Sequence, residues 1–164
     1  GLPIIIIRSF NNYGPNQYPE KMIPLFITNA LEDKKLPIYG DGTFSRDWLF
    51  VEDHCKALDK VMRGDLKKLK GEVINLGTGV DTDINTIAKM ILDRLGKSQS
   101  LLQFVQDRSG HVQRHVASNA KAKILLGWAP NTDLNRGLNR TVDWYVKNEE
   151  WWRKLRTPDI RTSE

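Results

Sequence analysis

Leu2-Pro3-Ile4-Ile5-Ile6-Ile7-Arg8-Ser9-Phe10-Asn11-Asn12-Tyr13-Gly14-Pro15 is the stretch from which the fold is read. The apolar run from Leu2 to Ile7 has the character of a buried strand. It stops abruptly in two amides, an aromatic and a Gly-Pro break, and Tyr18-Pro19-Glu20-Lys21 follows. In open α/β sheets, ligands sit just past the carboxyl ends of strands. A cluster of hydrogen-bonding side chains at such a point is where a small-molecule site is expected. The same residues also suit a turn built from Asn, Gly and Pro for backbone reasons alone.

Outward from this stretch, helix and strand alternate. Glu20 to Asp33 reads as a helix with Pro24 tolerated in its first turn, and Ile23, Phe26, Ile27, Ala30 and Leu31 share one face. Leu36 to Tyr39 reads as a short strand and Gly40-Asp41-Gly42 as a turn. Trp48 to Val51 is a compact apolar run. Glu52 and Asp53 then open a helix, their charges suiting its N-terminus. That helix is expected to turn Ala57, Leu58, Val61 and Met62 inward and to end at Gly64.

Glu72 to Gly79 is a strand running into glycines. Thr82 or Asp83 caps a helix whose stripe is Ile84, Ile87, Ala88, Ile91, Leu92 and Leu95, closed by Gly96. Leu101 to Val105 is a further strand. Two helices follow, Asn119 to Leu126 and Thr132 to Lys147, the second with Leu134, Leu138, Val142 and Tyr145 inward. Trp144, Trp151 and Trp152 are expected to pack the C-terminal end. Four or five short strands make only part of a doubly wound sheet. The reading is therefore an α/β chain that is the C-terminal piece of a larger unit.

Composition narrows the class. The chain has 164 residues, 40% of them hydrophobic and 27% charged, which is ordinary for a soluble globular protein able to bury a core. No run approaches the length of a membrane span, and Gly1-Leu2-Pro3 opens into apolar residues without a basic leader. One cysteine, Cys55, excludes an intramolecular disulfide and fits a reducing compartment, so a cytoplasmic protein is expected. Inside an amphipathic helix, Cys55 reads as packing rather than as a nucleophile. The net charge of +5 suits phosphorylated small molecules as well as nucleic acid. The lysines fall in short surface-like runs with no nucleic-acid motif, so no nucleic-acid partner and no membrane partner are expected.

Three polar points fall just beyond strands: Asn11 with Asn12, Arg46, and Asn75. A fourth is the loop Asp107-Arg108-Ser109-Gly110-His111. Two arginines and several amides in one crevice suit a pyrophosphate, because the guanidinium fork matches phosphate oxygens and amides donate without adding charge. Tyr39 offers a flat face to a base or a hydroxyl to a ribose. Each has a plainer alternative: Arg46 as half of a surface ion pair with Asp47, Tyr39 as a sheet-face filler, Asn75 as a turn residue.

Gly77-Thr78-Gly79 is not a dinucleotide fingerprint, because Thr82 stands where the third glycine is needed. His111 and His115 are four apart with no third ligand near, so no metal site is expected. No Tyr is followed by Lys four residues on.

These residues also carry a resemblance. Arg8 to Pro15, Tyr18 to Pro24, Leu36 to Gly40, Arg46-Asp47-Trp48-Leu49-Phe50-Val51-Glu52-Asp53-His54, Asn75 to Gly77, Asp107 to His111 and Leu126 to Pro130 are similar, in order, to the dTDP-glucose 4,6-dehydratases. These belong to the extended short-chain dehydrogenase/reductases, the NAD-dependent epimerase/dehydratase family. The resemblance covers only the C-terminal half of such an enzyme. It implies the C-terminal part of a Rossmann-like parallel sheet plus a smaller α/β nucleotide-sugar-binding domain, residues 1–164 forming that single fragment.

By that likeness Asn11, Lys21, Met22, Pro37, Tyr39, Arg46, Asn75, Arg108 and His111 contact a dTDP-sugar. Arg46, Asn75 and Arg108 hold its pyrophosphate, and Asn12 lies near NAD. In the family, NAD oxidises C4 of the glucose, water leaves across C5 and C6, and hydride returns to C6. The glycine-rich NAD loop, the Thr-Asp-Glu segment and the Tyr-x-x-x-Lys pair are absent from this chain. No catalytic residue is therefore assigned, and the chain is not expected to be active alone. Its expected partners are an N-terminal half or a homo-oligomer partner. Ser109, Val112 and Asn119 depart from the family pattern, although Asn119 can still cap its helix.

Overall fold

The computed structural model describes residues 2–107, 110 and 112–156. The chain runs β1 (Ile6–Ser9), β2 (Asn11–Tyr13), α1 (Met22–Leu31), β3 (Leu36–Tyr39), β4 (Ser45–Phe50), α2 (Val51–Met62), α3 (Leu66–Leu69), β5 (Val73–Leu76), β6 (Asp81–Asp83), α4 (Ile84–Leu95), β7 (Leu102–Val105), β8 (Arg114–His115), α5 (Ala120–Leu126), α6 (Leu134–Lys147) and α7 (Glu149–Leu155). Strand β1 pairs with β5, β2 with β4, and β3 with β7, all parallel. Strand β4 also pairs antiparallel with β6 and parallel with β8. This is the α/β class expected, with short parallel ladders covered by helices.

Two apolar clusters form the core. The larger gathers one face of α1, α4 and α6 with Leu36 and Ile38 of β3, Trp48 and Phe50 of β4, and Trp152 of α7. The smaller packs Leu49, Ile74 and Leu76 against Ala57, Leu69, Ala122 and Trp128. Helical periodicity placed the large cluster well: Ile87, Ala88, Ile91 and Leu92 are buried, as are Leu138, Val142 and Tyr145. The Asp83 side chain accepts from Thr86 N–H at the start of α4, and Gly96 closes that helix in the left-handed region. Among the described residues no helix is long and apolar enough to cross a membrane.

The structure corrects several expectations. The run Leu2 to Ile7 is not a buried strand: pairing begins at Ile6, and Leu2, Ile4 and Ile6 are 78%, 56% and 51% exposed. Parallel strands are normally buried on both faces, so β1 carries apolar residues that this chain leaves exposed. The polar points lie inside strands rather than beyond them, Asn11 and Asn12 in β2, Arg46 in β4 and Asn75 in β5. In α2, Met62 is 86% exposed and Cys55 is exposed, because only the Asp53 and Ala57 side of that helix meets the core. Asn119 makes no capping hydrogen bond, and its amide instead donates to Gly77 O at 3.3 Å.

Two buried carboxylates hold the loops to this frame. Asp47, in the middle of β4, accepts from Thr78 N (2.8 Å), Thr78 Oγ1 (2.6 Å), Gly79 N (2.9 Å) and Ala117 N (3.1 Å). It is not an ion-pair partner of Arg46. Gly77 is small because a Cβ there would lie 2.6 Å from Asp47 Oδ2 and collide with Ala117 Cβ. Asp53, in the first turn of α2, accepts from Asn131 N (2.8 Å) and Thr132 N (2.7 Å), and its carbonyl takes the Trp128 indole N–H at 3.1 Å.

Burial alone would raise the Asp53 carboxyl, but the N–H groups of Asn131 and Thr132 and the Lys56 ammonium outweigh it and hold the group below its ordinary value. The stabilisation this charge gives is therefore present above the unfolded carboxyl value of about 4 and is lost as pH falls through the lower folded value.

Two outcomes follow for stability. Asp47→Ala strands several buried donors and should lower unfolding free energy by about 3 kcal/mol in urea denaturation; a change within error would remove Asp47 from this role. Asp53→Asn should cost about 1.5–3 kcal/mol at neutral pH. The gap between wild type and Asp53→Asn should close below about pH 4, as followed by thermal unfolding across pH.

Candidate functional site

Strand β4 changes partners at Asp47. Ser45 and Arg46 face β8 across one ladder, whereas Trp48 to Phe50 face β2. Where neighbouring strands diverge in this way, a crevice opens at their ends. Asn11 is in register with Trp48, two residues beyond Arg46. Asn75 is in register with Arg8, and Phe10 N–H donates to Leu76 O at 3.1 Å, which joins the end of β5 to the residue before Asn11. The Gly77–Gly79 loop that leaves β5 is the loop Asp47 holds. Asn11, Arg46 and Asn75 are thus brought to one end of the sheet system, with Asn12 beside Asn11.

Arg46 is half-buried, and its Nη1 donates to Ser45 O at 2.7 Å and Gln113 O at 3.5 Å. Only carbonyls hold it, with no acidic partner among the described residues. Its remaining donors are those a phosphate oxygen would take. By contrast Arg114 is fully engaged, its guanidinium gripping Asp81 at 2.9 and 3.0 Å. That grip, with the Ser45 hydroxyl at 2.5 Å, draws the Asp81 carboxyl down to about 2. The Asn12 amide oxygen is buried without a hydrogen-bond partner among the described residues, while its carbonyl accepts from Gln17 Nε2 at 2.9 Å. A buried orphan acceptor fits a ligand donor.

A second group lies around α1 and β3. Lys21 precedes α1 and is paired with Glu20 at 3.0 Å, and Met22 opens the helix and packs against the larger core cluster. Pro37 and Tyr39 share the face of β3 opposite the buried Leu36 and Ile38. The chain links the two groups through the segment after β7, which leads from Val105, the partner of Tyr39, to β8, the partner of Arg46. Arg108 and His111 lie outside the described residues.

Among the described residues no cluster of three His, Cys, Asp or Glu is placed to hold a metal. A Ser9–His54 contact of 2.6 Å lies at the end of β1, and burial lowers the His54 imidazole below its ordinary value. Sequence reasoning missed this pair, since nothing in the spacing of residues 9 and 54 marks it.

The model of one sequence family, GDP-mannose 4,6 dehydratase, matches residues 1–141. The chain belongs to the GDP-mannose 4,6 dehydratase family. Within and around that family it is 40% identical over 162 residues to a dTDP-glucose 4,6-dehydratase of Streptomyces niveus, covering 99% of this chain and 47% of that protein. The structure of dTDP-glucose 4,6-dehydratase from Bacillus anthracis in complex with NAD superposes with a TM-score of 0.87 at 47% identity, covering 94% of this chain and 48% of that one. DesIV, a dTDP-glucose 4,6-dehydratase from Streptomyces venezuelae solved with NAD and TYD bound, gives a TM-score of 0.90 at 40% identity over 95% of this chain and 48% of that one. The chain thus spans about half the length of the relatives it matches. The resemblance read from the motifs and the α/β class is sustained by these matches.

Because only carbonyls hold its guanidinium, Arg46→Met should change the unfolding free energy little, within about 0.5 kcal/mol. A large loss in thermal unfolding would make Arg46 a structural residue instead.

Proposed function

We propose that this chain is the C-terminal, substrate-binding part of a dTDP-glucose 4,6-dehydratase, which converts dTDP-glucose to dTDP-4-keto-6-deoxyglucose and water. The observation that carries the reading is the unneutralised Arg46 beside Asn11 and Asn75, where partners of β4 change. These three side chains offer one fixed positive charge and two amides, which suits the oxygens of a diphosphate. Lys21, Met22, Pro37 and Tyr39 would take the nucleoside end, and Arg108 and His111 would complete the site. The exposed apolar residues of β1 support a larger sheet in the complete protein, with the rest of it supplied by an N-terminal half.

NAD would supply the hydride acceptor and donor for such a reaction. Among the described residues Asn12 fits it, through its orphaned buried amide oxygen. Gly77-Thr78-Gly79 is occupied in gripping Asp47 and forms no phosphate cradle. This chain's part is to bind and orient the nucleotide-sugar, and no proton or hydride step falls to its residues.

Calorimetric titration tests this. dTDP should bind in preference to UDP, and Arg46→Ala should weaken dTDP binding by about 1.5–3 kcal/mol. Stronger binding of UDP would favour an epimerase or decarboxylase of the same family, and unchanged affinity in the variant would remove Arg46 from the site.

A further inference from the structure

We propose that His115 is a second basic contact for the diphosphate, acting beside Arg46. This rests on the diphosphate reading above and extends it to a residue outside the motifs. His115 is in parallel register with Arg46, so the two side chains leave neighbouring strands on the same face. The Arg46 guanidinium reaches Gln113 O, two residues before His115, and so lies over the strand that carries the imidazole. The ring stacks on Phe10 with centroids 4.6 Å apart and planes tilted by 34°. The Phe10 N–H donates to Leu76 O and Phe10 is followed by Asn11, so the residue that carries the stack lies just past the end of β1, one residue along β5 from Asn75.

Stacking fixes the plane of the imidazole while leaving its edge available. Among the described residues no hydrogen bond engages either ring nitrogen. Neighbouring Arg114 points to the opposite face, where it pairs with Asp81, so it does not reach the same anion. On the face of β4 that carries Arg46, the described basic residue in register with it is His115. A phosphate oxygen set between them would accept from the guanidinium fork and from one imidazole N–H, in-plane contacts that a loose surface lysine does not provide.

The test uses the 164-residue chain and calorimetry with dTDP, dTMP and thymidine. His115→Ala and His115→Phe should each weaken dTDP binding about three- to tenfold, the size of one hydrogen bond. Both should leave thymidine binding unchanged. His115→Phe keeps a flat ring against Phe10 but has no donor, and its unfolding midpoint should match wild type. If His115→Phe binds dTDP as wild type does, the stack alone matters and the inference is overturned while the diphosphate reading stands. Equal losses for thymidine and dTDP would likewise overturn it, since the ring would then be acting on the fold. If wild type binds none of the three ligands, the diphosphate reading fails and takes this inference with it.

Discussion

The carboxylate of Asp47 is the interaction on which the rest of the architecture depends. It sits fully buried in β4 and is satisfied by three backbone N–H groups and one hydroxyl drawn from two segments far apart in sequence. A charge in that position is tolerated only because every hydrogen bond is made. The consequence is geometric. The glycine loop after β5 and the segment after β8 are both fastened at the residue where β4 exchanges one neighbour for another. Loops with few apolar contacts of their own gain a fixed place from one side chain.

Asp53 performs the same task in the first turn of α2, fastening the segment before α6 and, through its carbonyl, the Trp128 indole. The block from Arg46 to His54 therefore divides its labour by direction. Asp47, Trp48, Leu49, Phe50 and Asp53 point inward and build the frame. Trp48 adds to it with an indole N–H donated to Thr82 O at 3.1 Å. Arg46 is left half-exposed at the crevice. Most of this block is thus a structural clamp, and Arg46 is the member whose guanidinium is held only by carbonyls.

This division explains what the sequence could and could not disclose. The helices α1, α4 and α6 were legible because a 3.6-residue apolar stripe is a local signal, to which α4 adds its capping Asp83. The strands β2, β6 and β8 were not, since Asn11-Asn12, Asp81-Thr82-Asp83 and Arg114-His115 have poor strand propensity and pair only because neighbouring chain holds them there. Arg46-Asp47 read equally well as a surface ion pair, because burial of one carboxylate beside an open guanidinium is a tertiary fact. The exposure of Ile4 and Ile6 was hidden for the converse reason: apolar composition records that a surface is meant to be covered, not what covers it. Asn11, Arg46 and Asn75 were singled out in the sequence as residues beyond strands, yet all three lie inside them, and the pairing of His115 with Arg46 is a fact of register alone.

Amide hydrogen exchange at Thr78, Gly79 and Ala117 probes the role of Asp47 most directly. These N–H groups lie outside regular ladders and would ordinarily exchange as loop amides do. If the buried carboxylate holds them, they should be protected to the level of Ile74 and Leu76 in β5, and that protection should vanish selectively in Asp47→Asn. Rapid exchange at all three in the wild-type chain would contradict the account, because Asp47 would then not be holding the Thr78–Gly79 loop and the Ala117 segment to β4.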